Sequence, residues 1–344
     1  CKNCGYSLSE KCKTCFEDCE VKRTASFIDA PGHETLMATV LSGAALMDGA
    51  LLIIAANEKC PQPQTSEHLK ALDIVGIKNI VIVQNKVDLV DEARALKSYQ
   101  EIKNFVKGTI AENAPIIPVS ALHHANIDAL IEAIEEVIPT PERDMAKDPK
   151  FYIARSFDIN RPGTEIDELK GSVVGGSLVS GVFRINDEIE IRPGANVKGK
   201  WTPMRSKIVS ISQAGSREEA KPGGLVALQT ELDPSLSRGD GLVGSIVGHP
   251  GKLSLILERL KMKVQLFNYV IGVEGRQKVE PIRTRDALLI TAAVARSVGV
   301  VTSAHGNICE MQLKLPICAD KNDKVAIFRQ VSGRWHLIGY GILI

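Results

Sequence analysis

Asn85-Lys86-Val87-Asp88 follows directly on an apolar run at residues 80–83. Guanine presents its N1–H and its exocyclic amine side by side, and one fixed carboxylate, here Asp88, can accept from both. Adenine offers no such donor pair and would leave the carboxylate's acceptors unmatched. Asn85 can tie neighbouring loops and reach the base edge, while the Lys86 stem can cover the base face with its ammonium in water. Val87 belongs to the same loop. By itself N-K-x-D is also a common polar turn after a strand.

Asp29-Ala30-Pro31-Gly32-His33 ends a second apolar segment. D-x-x-G places a carboxylate near a magnesium ion, usually through water. Gly32 lets a backbone N–H approach a terminal phosphate closely, and His33 stands where a side chain could orient an attacking water. A Pro-Gly turn is the plainer reading of these letters alone. Ser120-Ala121-Leu122 closes a third apolar run, where a backbone N–H could donate to guanine O6. The order D-x-x-G, N-K-x-D, S-A, each at the carboxyl end of an expected strand, carries far more than any one motif.

Four cysteines, Cys1, Cys4, Cys12 and Cys15, form C-x2-C-x7-C-x2-C. Paired C-x2-C arms suit tetrahedral thiolate coordination of zinc, and four protein ligands leave no open position, so the expected role is structural. Half the cysteines in fifteen residues of a long chain is not a secreted disulfide framework, and a reducing, cytoplasmic compartment is expected. His123 and His124 show no ligand-like spacing with acids. Residues 194–200 match G-x4-G-K by letter, but Trp201 follows and no helix does, so they read as a hairpin loop.

These residues need elements to hold them. The 344 residues suit two or three domains. Apolar runs at 24–29, 50–55, 80–84 and 116–119 alternate with amphipathic segments at 34–47, 65–75, 91–111 and 127–138. That alternation is the signature of crossover units on a mainly parallel sheet, whose carboxyl-end loops bind ligands. Residues 36–56 are apolar enough to suggest a membrane span, but Asp48-Gly49 divides them into a buried helix, a turn and a strand. Residues 139–144 read as a linker. Short strands with Gly and Pro turns follow at 152–159, 171–180, 188–191, 207–211 and 225–228, the texture of a small barrel. After a boundary near His249-Pro250-Gly251, further strands are expected at 261–266, 287–295, 299–305, 310–315, 324–329 and 335–342. The expected domains are a knuckle at 1–20, an α/β domain at 21–140 and all-β barrels at 148–250 and 253–344.

Net charge is only +1, yet it is unevenly spread. Residues 1–140 hold 13 basic against 19 acidic side chains, residues 141–249 hold 15 of each, and residues 250–344 hold 14 against 7. An acidic front and a basic back fit a chain that meets different partners at its ends.

With these residues in place the chain resembles the gamma subunits of archaeal and eukaryotic translation initiation factor 2, relatives of elongation factor Tu. The resemblance rests on the cysteine knuckle before D-x-x-G, on Asp29 through Met37, and on Cys60-Pro61-Gln62-Pro63-Gln64-Thr65-Ser66-Glu67-His68. Gln84 through Asp88, Gly108-Thr109-Ile110-Ala111, Pro115 through Ala121, Arg155-Ser156-Phe157-Asp158-Ile159-Asn160, and Trp335 through Gly341 add to it. It covers essentially the whole chain.

The resemblance implies a P-loop-type G domain carrying the zinc knuckle, then two all-β barrels. It implies a GTPase that uses GTP/GDP, Mg2+ and Zn2+ and binds initiator methionyl-tRNA. It also implies alpha and beta subunits and the small ribosomal subunit as partners, with no membrane. By position, Asn85, Lys86, Val87, Asp88, Ser120, Ala121 and Leu122 would hold guanine. Asp29 and Gly32 would sense magnesium and the γ-phosphate, and His33 would position water. No G-x4-G-K-[S/T] and no first switch segment precede the knuckle, and the expectation is that both lie upstream of residue 1. Two alternatives stay open: another tRNA-delivering GTPase, against which the knuckle speaks, and a nucleotide-free scaffold, which nucleotide binding by the full-length chain would exclude.

Overall fold

A computed structural model describes residues 4, 6, 9–12, 14–30, 38, 41, 46–271 and 277–344. The chain divides into two compact units, Cys1–Phe27 with Met47–Pro141, and Ile28–Leu46 with Glu142–Ile344.

In the first unit, strands β1 (Ala50–Ala55), β2 (Ile80–Asn85) and β3 (Ile116–Pro118) alternate with helices α1 (Pro63–Val75), α2 (Glu92–Val106) and α3 (Ile127–Val137). The sheet is parallel, in the order β1-β2-β3. β2 reads IVIVQN, and all but Asn85 is buried, as a central strand covered on both faces demands. Ile80 and Ile82 pack with Leu52, Ile54, Leu69, Leu72, Ile102 and Val106. Pro63 opens α1, and left-handed Gly76 closes it with a bond to the Leu72 carbonyl. Asp91 caps α2 by accepting from the Arg94 N–H at 2.8 Å.

Two expectations fail here, and a third falls mostly outside the described residues. Residues 24–29 form no strand: residues 19–30 have no regular structure, Phe27 is 67% exposed, and no described strand pairs with them. Without a ladder partner, an extended segment leaves its backbone groups to water. The helix expected at 91–111 stops at Val106, where the Thr109 N–H and hydroxyl both bond to the Val106 carbonyl and Gly108 turns left-handed. The helix expected at 34–47 falls mostly outside the described residues; Ala38 and Leu41 are helical, and Met47 is not. The segment that bears the knuckle is anchored by Arg23, whose guanidinium pairs with Glu135 at 2.7 Å and donates to the Ile134 carbonyl at 3.1 Å near the end of α3.

The second unit holds two six-stranded antiparallel barrels. The first consists of β4 (Lys150–Phe157), β5 (Val173–Ser180), β6 (Glu188–Val197), β7 (Lys200–Ser212), β8 (Val226–Thr230) and β9 (Ile246–Gly248), and the β7–β8 pairing closes it. Phe151, Ile153, Leu178, Phe183, Ile189 and Ile191 fill its core. Residues 194–200 are the tip of the β6–β7 hairpin, with Lys198 and Gly199 both left-handed.

The second barrel is β10 (Ile256–Leu266), β11 (Ala287–Ala292), β12 (Ala295–His305), β13 (Ile308–Cys318), β14 (Lys324–Val331) and β15 (Arg334–Leu343). The single strand expected at 287–295 is two strands, split where Ala293 turns at φ 46°. A polar network spans both barrels. Lys150 reaches Ser254 Oγ at 3.2 Å and Asp320 at 3.1 Å, Ser254 donates to Asp320 at 2.7 Å, and Arg192 donates to the Leu253 and Ser254 carbonyls at 2.9 Å each. Among the described residues, no helix is long and apolar enough to cross a membrane.

Glu67 of α1 is 1% exposed, and burial pushes its carboxyl up to about 7. Below the ordinary value of 4.5 both folded and unfolded chains hold the proton; between 4.5 and 7 only the folded chain does, so stability is lost as pH rises through that window. Glu67→Gln should therefore stabilise the fold at pH 8 by on the order of 2–3 kcal/mol and change little near pH 4.5. Chemical denaturation at both pH values is the measurement, and an equal effect at each would rule this out.

Candidate functional site

The parallel ladder sets Ala55 beside Asn85 and Gln84 beside Pro118, so the loops after β1, β2 and β3 leave from one rim. The Ala56 N–H donates to the Asn85 carbonyl at 2.8 Å, and the Val119 N–H to the Gln84 carbonyl at 2.8 Å. Asn85 is the first residue of β2 to escape burial. Its side-chain Oδ1 accepts from the Lys86 N–H at 2.8 Å and from the Ala121 N–H at 3.1 Å. One amide oxygen thereby joins loops 36 residues apart. Lys86 is left-handed (φ 63°, ψ 33°), which turns the chain into the short helical turn Val87–Leu89.

Asp88 sits on that turn with its side chain 20% exposed. Buried Ser120 donates its hydroxyl to the carboxylate and holds it below the usual carboxylate range; the Asp88 N–H and the nearby His123 add to the effect. The same Ser120 oxygen accepts from the His123 N–H at 3.3 Å. Ser120 and Ala125 exchange backbone bonds of 3.2 and 3.0 Å across the turn, and Asn126 donates to the Pro118 carbonyl at 2.8 Å. Leu122, 77% exposed, stands out from this loop. A cavity of about 240 Å³ lies at the ends of β1 and β2, lined by Ala55, Glu58, Lys59, Gln62, Asn85 and Lys86 among others.

Asn85, Lys86, Val87, Asp88, Ser120, Ala121 and Leu122 thus share one rim. Asp29 is exposed in the irregular stretch, and Ile28–Leu46 group with the second unit. Gly32 and His33 lie outside the described residues. Sequence reasoning missed the Ser120 hydroxyl, having assigned this loop only a backbone donor. It also set His123 aside for want of an acid at ligand-like spacing, whereas the fold brings its Nε2 to 3.8 Å from Asp88 Oδ2. A serine ending a buried strand beside a fixed carboxylate was the available signal.

Cys4, Cys12 and Cys15 converge, their sulfurs all within 4.8 Å of one another. A hairpin brings them there: the Cys12 N–H donates to the Glu17 carbonyl at 2.8 Å, and Lys11 bridges Asp18. Cys12 is buried and accepts from the backbone N–H groups of Cys15 and Thr14, which pull its thiol down to about 7. Cys15 takes a backbone bond from Glu17, but burial and the sulfurs of Cys4 and Cys12 outweigh it and push the thiol up to about 11. Three converging sulfurs, one already stabilised as thiolate, suit a soft, tetrahedral cation. Cys1 lies outside the described residues. Cys60, Cys309 and Cys318 are buried, and burial raises their thiols to about 11, 11 and 12, as inert core cysteines.

Residues 6–140 match the family described as elongation factor Tu GTP binding domain, and residues 258–343 match initiation factor eIF2 gamma, C terminal. The chain is 55% identical over 349 residues to translation initiation factor 2 subunit gamma of Methanocaldococcus jannaschii, covering 100% of this chain and 85% of that protein. The subunit of the same name from Pyrococcus abyssi is 53% identical over 350 residues, again covering 100% and 85%. Among solved structures, translation elongation factor SelB from Methanococcus maripaludis, in complex with a GTP analogue, superposes with a TM-score of 0.72 at 22% identity. That match covers 92% of this chain and 69% of the other, and at this identity it bears on the fold alone.

Proposed function

Because the chain belongs to the family of translation initiation factor 2 gamma subunits, and is a translational GTPase that binds guanine nucleotide with magnesium, we propose that it carries initiator methionyl-tRNA to the small ribosomal subunit in its GTP-bound state. It does so as the gamma member of a heterotrimer with alpha and beta subunits. The observation that carries the nucleotide half of this reading is the Asp88 carboxylate, held charged by Ser120 on a loop that Asn85 ties to its neighbour.

In this reading Asp88 accepts from the guanine N1–H and amine. Its depressed proton affinity keeps it an acceptor across the physiological range, and adenine leaves its acceptors unmatched. Asn85 fixes the distance between the base-reading loop and Ala121, which stands near the guanine O6 position. The Lys86 stem and exposed Leu122 cover the two faces of the base. Asp29, through water, and the Gly32 N–H respond to magnesium and the terminal phosphate, and His33 orients the attacking water. Magnesium supplies charge neutralisation on the phosphates when bound.

Cys4, Cys12 and Cys15, with Cys1, hold a zinc ion whose role is to cross-link the hairpin. The basic surplus of residues 250–344 suits RNA, and the acidic front suits a different partner.

Three measurements test this. In the full-length protein, Asp88→Asn should weaken guanosine nucleotides at least about a hundredfold and favour xanthosine nucleotides; unchanged guanine selectivity would remove Asp88 from the base site. With GTP bound, initiator methionyl-tRNA should bind at least about tenfold tighter than elongator methionyl-tRNA, about 1.4 kcal/mol, and equal retention on filters would point to a different tRNA-delivering role. Elemental analysis should find one zinc per chain, lost in Cys12→Ser; a metal-free wild-type protein purified without chelators would contradict the knuckle reading.

A further inference from the structure

His123 belongs to the four-residue excursion that Ser120 and Ala125 close by exchanging backbone bonds. His124 takes a left-handed φ of 53° within it, and the His123 N–H is fastened to Ser120 Oγ. The backbone of His123 is therefore pinned by the same oxygen that donates to Asp88. Its ring, 64% exposed, leans over the carboxylate with Nε2 at 3.8 Å from Oδ2. That is too long for a hydrogen bond and close enough for an ion pair once the imidazole is charged. Among the described residues Asp88 is the carboxylate paired with His123, and His123 is the charged neighbour of Asp88. Ser120, Ala121 and Ala125, which frame the ring's loop, carry no charge, and its own turn adds only His124.

A carboxylate that reads guanine must present two acceptor positions to two donors while Ser120 occupies part of its capacity. A neutral imidazole at 3.8 Å leaves Oδ2 to the base. An imidazolium draws on Oδ2 and takes part of the charge the base would use.

Resting on the reading of Asp88 given above, we propose that His123 is a positioning residue that acts through Asp88, grading the strength of guanine recognition by its own charge. An imidazole is the side chain whose charge changes near neutrality. The pair is largely solvated, so the coupling is modest.

The test is fluorescent GDP titration of the full-length protein between pH 8 and 5.5. Wild-type affinity should fall on acidification about two- to fivefold further than that of His123→Ala, the range of exposed ion pairs. His123→Lys, a permanent cation at the same site, should bind about two- to fivefold more weakly than wild type at pH 8. In the Asp88→Asn background, exchange of His123 for Ala should leave the pH profile for xanthosine nucleotides unchanged. The inference falls if His123→Ala keeps the wild-type slope, or if His123→Lys binds GDP at pH 8 as wild type does. Failure of the underlying reading looks different: Asp88→Asn itself would then leave guanine selectivity intact.

Discussion

One amide oxygen holds the carboxyl-end rim of the parallel sheet together. Asn85 Oδ1 accepts from main-chain donors on two loops that the chain visits 36 residues apart. It can do so because β2 is a buried apolar run that ends abruptly in a polar residue, and because a parallel ladder brings the ends of neighbouring strands to one level. The energetic size of such a bond is modest, about 1 kcal/mol. Its geometric effect is larger, since Lys86, Asp88, Ala121 and Leu122 all take their positions from loops whose spacing it sets.

The unit contains two carboxylates with opposite fates. Asp88 lies at the rim among donors and is held ionised; Glu67 lies inside α1's buried face, where burial favours its protonated form. The same side-chain chemistry yields a charged group at the rim in one case and a burden on the fold in the other: burial raises Glu67, whereas the Ser120 hydroxyl lowers Asp88. Ser120 is the residue that supplies Asp88, and it faces inward enough to be fully committed to that task.

Much of this architecture could be read from the chain's letters. N-K-x-D and S-A stood out because each follows an apolar run, and the four apolar residues at 80–83 located β2 to within two residues of its end at Asn85. The family was legible in longer strings such as Cys60 through His68. What stayed hidden were contacts made by side chains of ordinary type. Ser120 and His123 carry no spacing signal toward Asp88, since their meeting depends on two loops folding over the same rim. β9 is three residues long, too short for any period to show. Residues 24–29 have the composition of a strand, yet composition does not provide a neighbour, and the segment stays irregular. Ala293 broke an apolar stretch at a residue type with no turn preference.

The network between the two barrels has a mechanical meaning. Asp320 serves Lys150 and Ser254 at once, and Arg192 grips two successive carbonyls of the connecting segment, over an apolar contact of Ile246, Leu253 and Cys318. Bending at residues 249–252 would have to break several of these bonds together and uncover that contact. The barrels are consequently fastened to each other by one carboxylate, one ammonium and one guanidinium, and not by the continuity of the chain alone.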